Sequence, residues 1–250
     1  MRDFDMGDAW RQIVAMFQGN RDVLLTLAGL FFFVPNLLLN FMSKEPPQPA
    51  EGATLNDMMQ QISAYYTDNL PWFAVVFVAT GLGALVIWRH LLAPGGTSLG
   101  SALSVATALL LSYLGGAILA GFGVAVGLLA FLIPGLYLQA RLSLMGPTMA
   151  AEHRLNPIDA LMKSWSYTRN NGFLILLFSL AVLVIGMIAM MIAQAIFGTL
   201  FALILPEPTA NIGDQIIRAV LSAAISLVST LLLAAIYRQL GQTNDGAAFR

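Results

Sequence analysis

The sequence predicts an all-α fold. It reads as a polytopic integral membrane helical bundle of six transmembrane helices, with amphipathic interfacial helices on its cytoplasmic and outer sides. Three observations predict it. Only 10% of the 250 residues are charged and 58% are hydrophobic, whereas about 25% of an average soluble domain is charged. A soluble globule could not cover its surface with so few charges, and a disordered chain is poor in apolar residues. Next, six apolar windows are each long enough to cross the hydrocarbon: about 23–42, 71–92, 100–120, 122–145, 172–200 and 215–237. None carries an Asp or Glu in its middle. Last, the basic residues sort to one side. With the N-terminus inside, Arg2, Arg11, Arg21, Arg89, Arg141, Arg154, Lys163, Arg169, Arg238 and Arg250 fall inside, and only Lys44 and Arg218 fall outside. Both termini are therefore expected in the cytoplasm, with the whole of 1–250 forming one membrane domain.

The elements follow in order. Trp10, Ile13, Val14 and Phe17 make an apolar stripe at helical spacing, so 8–18 is expected to lie in the inner interface. The first span follows an acidic lead (Asp3, Asp5, Asp8) and runs about twenty residues, so it reads as a retained anchor rather than a cleaved signal. Pro35 marks a kink in it. Residues 43–53 are a Pro-rich linker that cannot be helical. Thr54 and Asp57 then spell a capping box. Leu55, Met58, Met59 and Ile62 predict an outer amphipathic helix over 55–68, which would at least shield the helix ends.

Spans three and four are separated by Gly121-Phe122-Gly123, which predicts a tight hairpin there, and Pro134-Gly135 predicts a kink in span four. Asn156 and Pro157 open another in-plane helix over 156–169, with Ile158, Leu161, Met162 and Trp165 as its stripe. Asp159 and Lys163 stand at i, i+4 and are expected to pair. The stripes at 8–18 and 156–169, with a weaker third opening at Ser98, suggest a repeat of in-plane helix plus two spans. The fifth window would exceed the bilayer, so it must tilt, break near Gly186 or Gly198, or project. Gln194 falls near its outer boundary. Small residues on span three (Ser104, Ala108, Ser112, Gly115), span four (Gly123, Gly127) and span six (Ala219, Ser222, Ala223, Ser226, Thr230) are expected to pack helix against helix. The alternative for the hydroxyl-bearing faces is a lining for a polar path.

Function classes narrow by what is missing from the sequence. There is no Cys and there are only two His, His90 and His153, so no metal-ligand spacing forms and no metal or other cofactor is expected. No GxSxG elbow and no Gly-rich phosphate loop occur. A net charge of −1 leaves no basic surplus for nucleic acid. Proton-coupled transport would want an ionisable residue inside a span, and the central sections of the spans show none. Arg141, beside Tyr137 and Gln139 at the inner end of span four, is either a snorkelling Arg or a lipid-phosphate contact.

The stretch Ile133-Pro134-Gly135-Leu136-Tyr137 to Arg141-Leu142-Ser143-Leu144, then Pro147, Glu152 and Ala160-Leu161-Met162-Lys163-Ser164-Trp165-Ser166-Tyr167-Thr168, resembles a pattern in bacterial inner-membrane proteins. These are similar to the membrane domain that precedes the catalytic part of membrane-anchored glycerophosphodiester phosphodiesterases. The resemblance implies a stand-alone six-helix member with no phosphodiesterase domain, so the activity does not carry over. The expectation is a non-catalytic inner-membrane protein that engages lipid or supports membrane homeostasis. Its runner-up is a transport or lipid-scrambling facilitator, and an intramembrane enzyme is the third reading. Membrane lipids are the expected partners, and a homo-oligomer stays open. Arg141, Glu152, Lys163, Ser164 and Trp165, with Tyr137 beside them, are expected to form one cytoplasmic-side network holding helix 156–169 against span four.

Overall fold

The computed structural model describes residues 4–43 and 54–241, all of them helix or short connection. The chain runs α1 (Met6–Gly19), α2 (Arg21–Ala28), a π-helical turn (Gly29–Phe33), α3 (Val34–Met42), α4 (Leu55–Leu92), α5 (Leu99–Ala130), α6 (Leu132–Leu142), α7 (Met145–Glu152), α8 (Pro157–Tyr167), α9 (Gly172–Ile204) and α10 (Glu207–Leu240). Five stretches are long and apolar enough to cross a membrane: Arg21–Met42, α4, α5, α9 and Thr209–Leu240 within α10. The chain is thus built as a multi-pass membrane protein. The Pro-rich linker at 44–53 lies outside the described residues.

The first rod is unbroken but not uniformly α. Proline has no N–H and its ring crowds the carbonyl four residues back. The turn just before Pro35 widens to π geometry, with the Val34 N–H bonded to Gly29 O. The expected kink is therefore a π turn. Gly83 of α4 packs there so closely that a Cβ would sit 2.4 Å from Phe31 Cβ.

Several boundaries differ from expectation. The outer helix at 55–68 is not separate: α4 runs unbroken through Pro71 to Leu92. Its capping box is present, with Asp57 N–H donating to Thr54 Oγ1 and Thr54 N–H to Asp57 Oδ2. No chain reversal occurs at Gly121–Gly123. Glycine costs a helix only about 1 kcal/mol, and α5 continues to Ala130, turning at Phe131, which is extended at φ −159°. Pro134 then sits in the first turn of α6, where its missing N–H has no helical partner to lose; it begins a helix rather than kinking one. The expected fourth span, 122–145, is instead the last turns of α5 and the short α6, with α7 following after Ser143-Leu144. Ser98 caps α5 itself, its Oγ accepting from Ser101 N–H, so the third in-plane unit is the start of a long helix. α9 passes Gly186 and Gly198 without a break.

Packing faces also shift. Ser104, Ala108 and Gly115 are exposed, and Ala102, Ala106, Leu109 and Gly116 are the buried face of α5. The Gly127 prediction holds in a specific form, because a Cβ there would lie 2.9 Å from Gly135 Cα on the antiparallel α6. On α10, Ala219, Ala223 and Thr230 are buried as expected. Gln194 meets the Asp214–Arg218 ion pair at the far end of α9 and α10.

One end of the bundle gathers many chain segments. Asp5 N–H donates to Gln239 Oε1 at 3.1 Å, and Phe4 N–H to Asn171 Oδ1 at 3.0 Å. Arg238 Nη2 donates to Leu91 O at 2.7 Å, and Arg89 Nη1 to Ala150 O and Ala151 O. The start of α1, the ends of α4, α7 and α10, and the start of α9 thus share one layer.

Candidate functional site

The break between α6 and α7 is held open by side chains of α8. Ser164 Oγ donates to Arg141 O at 2.8 Å and accepts from Leu144 N–H at 3.1 Å. Thr168 Oγ1, which donates to Ser164 O at 2.7 Å, also lies 3.2 Å from the Arg141 carbonyl. Both residues are fully buried, and Ser164 answers backbone groups that a continuous helix would have paired. α7 ends at His153, whose left-handed backbone (φ 53°) lets Arg154 N–H reach back to Met149 O. Asn156 Oδ1 caps α8 by accepting from Ile158 N–H, with Pro157 first in the helix, as the sequence predicts.

Two clusters result where one network was expected. The first centres on Glu152. Its Oε2 receives Lys163 Nζ at 2.8 Å and Arg154 Nε at 2.6 Å. Its Oε1 receives the hydroxyls of Tyr167 at 2.9 Å and Tyr237 at 3.1 Å. Burial pushes this carboxyl up, but the bonds from Lys163, Arg154 and Tyr167 outweigh it and leave the pKa below the ordinary Glu value. The expected Asp159–Lys163 pair does not form. Asp159 pairs with Arg154 instead, because a more buried carboxylate takes the lysine. Tyr237 and Arg154 were not singled out in the sequence. Tyr237 lies 85 residues from Glu152, and no local pattern announces that contact.

The second cluster is Arg141. It is only 3% exposed, yet its side chain makes no ion pair or hydrogen bond among the described residues. Nε and Nη1 are sealed from solvent without an acceptor. The guanidinium lies 4.2 Å from the centroid of the Trp165 ring and 5.9 Å from that of Tyr137. Gly172 closes the far side, where a Cβ would fall 2.9 Å from Arg141 Cδ. Cation–π contact offsets part of the desolvation, but a buried cation normally finds a carboxylate. Here the nearby Glu152 is committed elsewhere. Gln139, expected beside Arg141, faces a different cavity. α8 serves both clusters, Lys163 and Tyr167 bonding Glu152 and Trp165 stacking on Arg141, and no ion pair joins the two among the described residues.

Fold and site together define a multi-pass helical membrane protein whose end layer holds a neutralised acidic hub and an unneutralised arginine. A family model described as Domain of unknown function (DUF7847) matches residues 23–240. The chain belongs to that family. Comparisons with curated proteins and with solved structures give no match.

Proposed function

We propose that the protein is a non-catalytic bacterial inner-membrane protein that engages anionic lipid headgroups at its cytoplasmic side. The observation that carries this reading is Arg141. A guanidinium with two unanswered N–H groups is suited to a phosphate oxygen, which reaches it when the half-exposed Trp165 ring stacked on it swings aside. Trp165 is 45% exposed and α8 turns Ile158 and Met162 outward, which suits an in-plane helix at the headgroup level. The resemblance of 133–168 to the membrane domain of glycerophosphodiester phosphodiesterases supports a lipid-facing role without their chemistry. Six crossings, with α6 and α7 acting as one broken span, and both termini in the cytoplasm complete the proposal.

The test is lipid retention. Purified wild type is expected to carry phosphate-bearing anionic lipid, and Arg141→Ala to lose most of it, on the order of tenfold for a charge-assisted bond of about 1.5–3 kcal/mol. Arg141→Lys should retain part. Equal retention in all three proteins would overturn the assignment.

A further inference from the structure

A cavity of about 500 Å³ lies between α5–α7 and the α9–α10 pair. Its closed end is formed by buried Trp88, Met145, Gly146 and Leu232, and its mouth by exposed Gln139, Leu180 and Leu183. Leu180 and Leu183 sit inside a span, so the mouth opens sideways toward lipid rather than toward water. Ser143 lines this space with its hydroxyl already donating to Ala140 O, and four further polar side chains converge on it from different helices: Tyr113, Gln139, Ser179 and Ser229. None of these four makes a side-chain hydrogen bond among the described residues. By contrast Ser226 and Thr230 on the same α10 bond back to their own helix. No charged residue lines the cavity.

We infer that this cavity binds an uncharged, hydroxyl-bearing single-chain amphiphile that enters from the bilayer. A charged head would lose its hydration with no countercharge to receive it. A plain hydrocarbon would leave three hydroxyls and an amide unanswered. A head with both donors and acceptors satisfies all four, while the leucines hold the start of a chain. The volume accommodates on the order of 17 non-hydrogen atoms at about 30 Å³ each, within the ordinary range of ligand cavities. The small headgroup is therefore inside and the tail trails into lipid. This site is separate from Arg141, and neither inference depends on the other.

The test uses the full chain in phosphatidylcholine nanodiscs with a diazirine-bearing monoacylglycerol. Photoadducts are expected on Leu136–Gly146 and Leu176–Leu183, competed by unlabelled monoacylglycerol and not by a fatty acid anion. Tyr113→Phe with Gln139→Leu should raise the half-saturating concentration about twentyfold, taking about fivefold per lost hydrogen bond. If that pair fails to fold, Ser179→Ala with Ser229→Ala is expected to weaken labelling similarly. Arg141→Ala should label as wild type. Adducts spread evenly over the outer helices, equal competition by the anion, or unchanged labelling in the folded variants would overturn the proposal.

Discussion

At the residue scale, Glu152 and Arg141 show opposite solutions to burying a charge. Glu152 receives four donors, two of them cationic, so removing it strands Lys163 and leaves Arg154 only Asp159. Glu152→Ala should cost about 3 kcal/mol, near the lower bound for breaking a buried pair. Tyr237→Phe should cost about 1 kcal/mol, since it deletes one bond and keeps the edge-to-face contact with Tyr167. The pH dependence follows from the depressed pKa. A carboxyl with a lowered folded pKa contributes stability that is fully present above its unfolded value, about 4.3. That stability is lost as pH falls through the folded value. Melting temperature in detergent should therefore decline below about pH 4.3 in wild type. Glu152→Gln should be less stable at pH 7 and lack that part of the acid decline; parallel curves for both proteins would remove the hub from the account.

At the element scale, much of the helix layout was legible and most of the boundaries inside it were not. Caps could be read because they are local: Thr54 with Asp57, and Asn156 with Pro157, announce α4 and α8 from a few residues each. Hydropathy located every long apolar helix, because the bilayer requirement is written in composition. Gly121 and Gly123 misled, since a helix absorbs glycine at only about 1 kcal/mol each and α5 runs through both. The actual turn, at Phe131, has no Gly or Asn to signal it, and Pro134 beyond it works as a helix start. Of the candidate site, the apolar stripe announced helix α8 but faces outward; its contact with α6, made by Ser164, was expected alongside the resemblance of 133–168, whereas the Glu152–Tyr237 bond depends on tertiary return of a distant helix. Gly127 tests the α5–α6 contact directly. Gly127→Val would force Gly135 backbone away and should cost about 1–3 kcal/mol, an overpacking penalty. Gly115→Ala, with nothing within 4 Å of its Cβ, should leave melting unchanged. Similar losses in both would show that the close approach at Gly127 is not what the valine disturbs, since helix propensity alone favours either substitution.

At the scale of the whole molecule, the hydrogen bonds impose a parity on the topology. Asp5, just before α1, bonds Gln239 at the end of α10, so the chain must cross the bilayer an even number of times between them. Five helices pass by length and apolarity alone. In the proposed topology the remaining crossing belongs to the segment between Ala130 and Glu152. Leu91 lies against Arg238 and Glu152 against Tyr237, so α5 leaves the shared layer and α6–α7 returns to it. Their 11 and 8 residues cover about 16 and 12 Å at 1.5 Å per residue, enough together for a thin crossing broken at Ser143-Leu144. The backbone groups freed at that break are answered by Ser164 of the in-plane α8. The absence of cysteine makes this directly measurable. Single substitutions Gly19→Cys, Pro94→Cys and Leu155→Cys should react with an impermeant maleimide only in inverted vesicles. Phe131→Cys and Thr209→Cys should react only in right-side-out ones. Reaction of Leu155→Cys from the same side as Phe131→Cys would show that α6–α7 does not cross, and the six-crossing topology would fall with it.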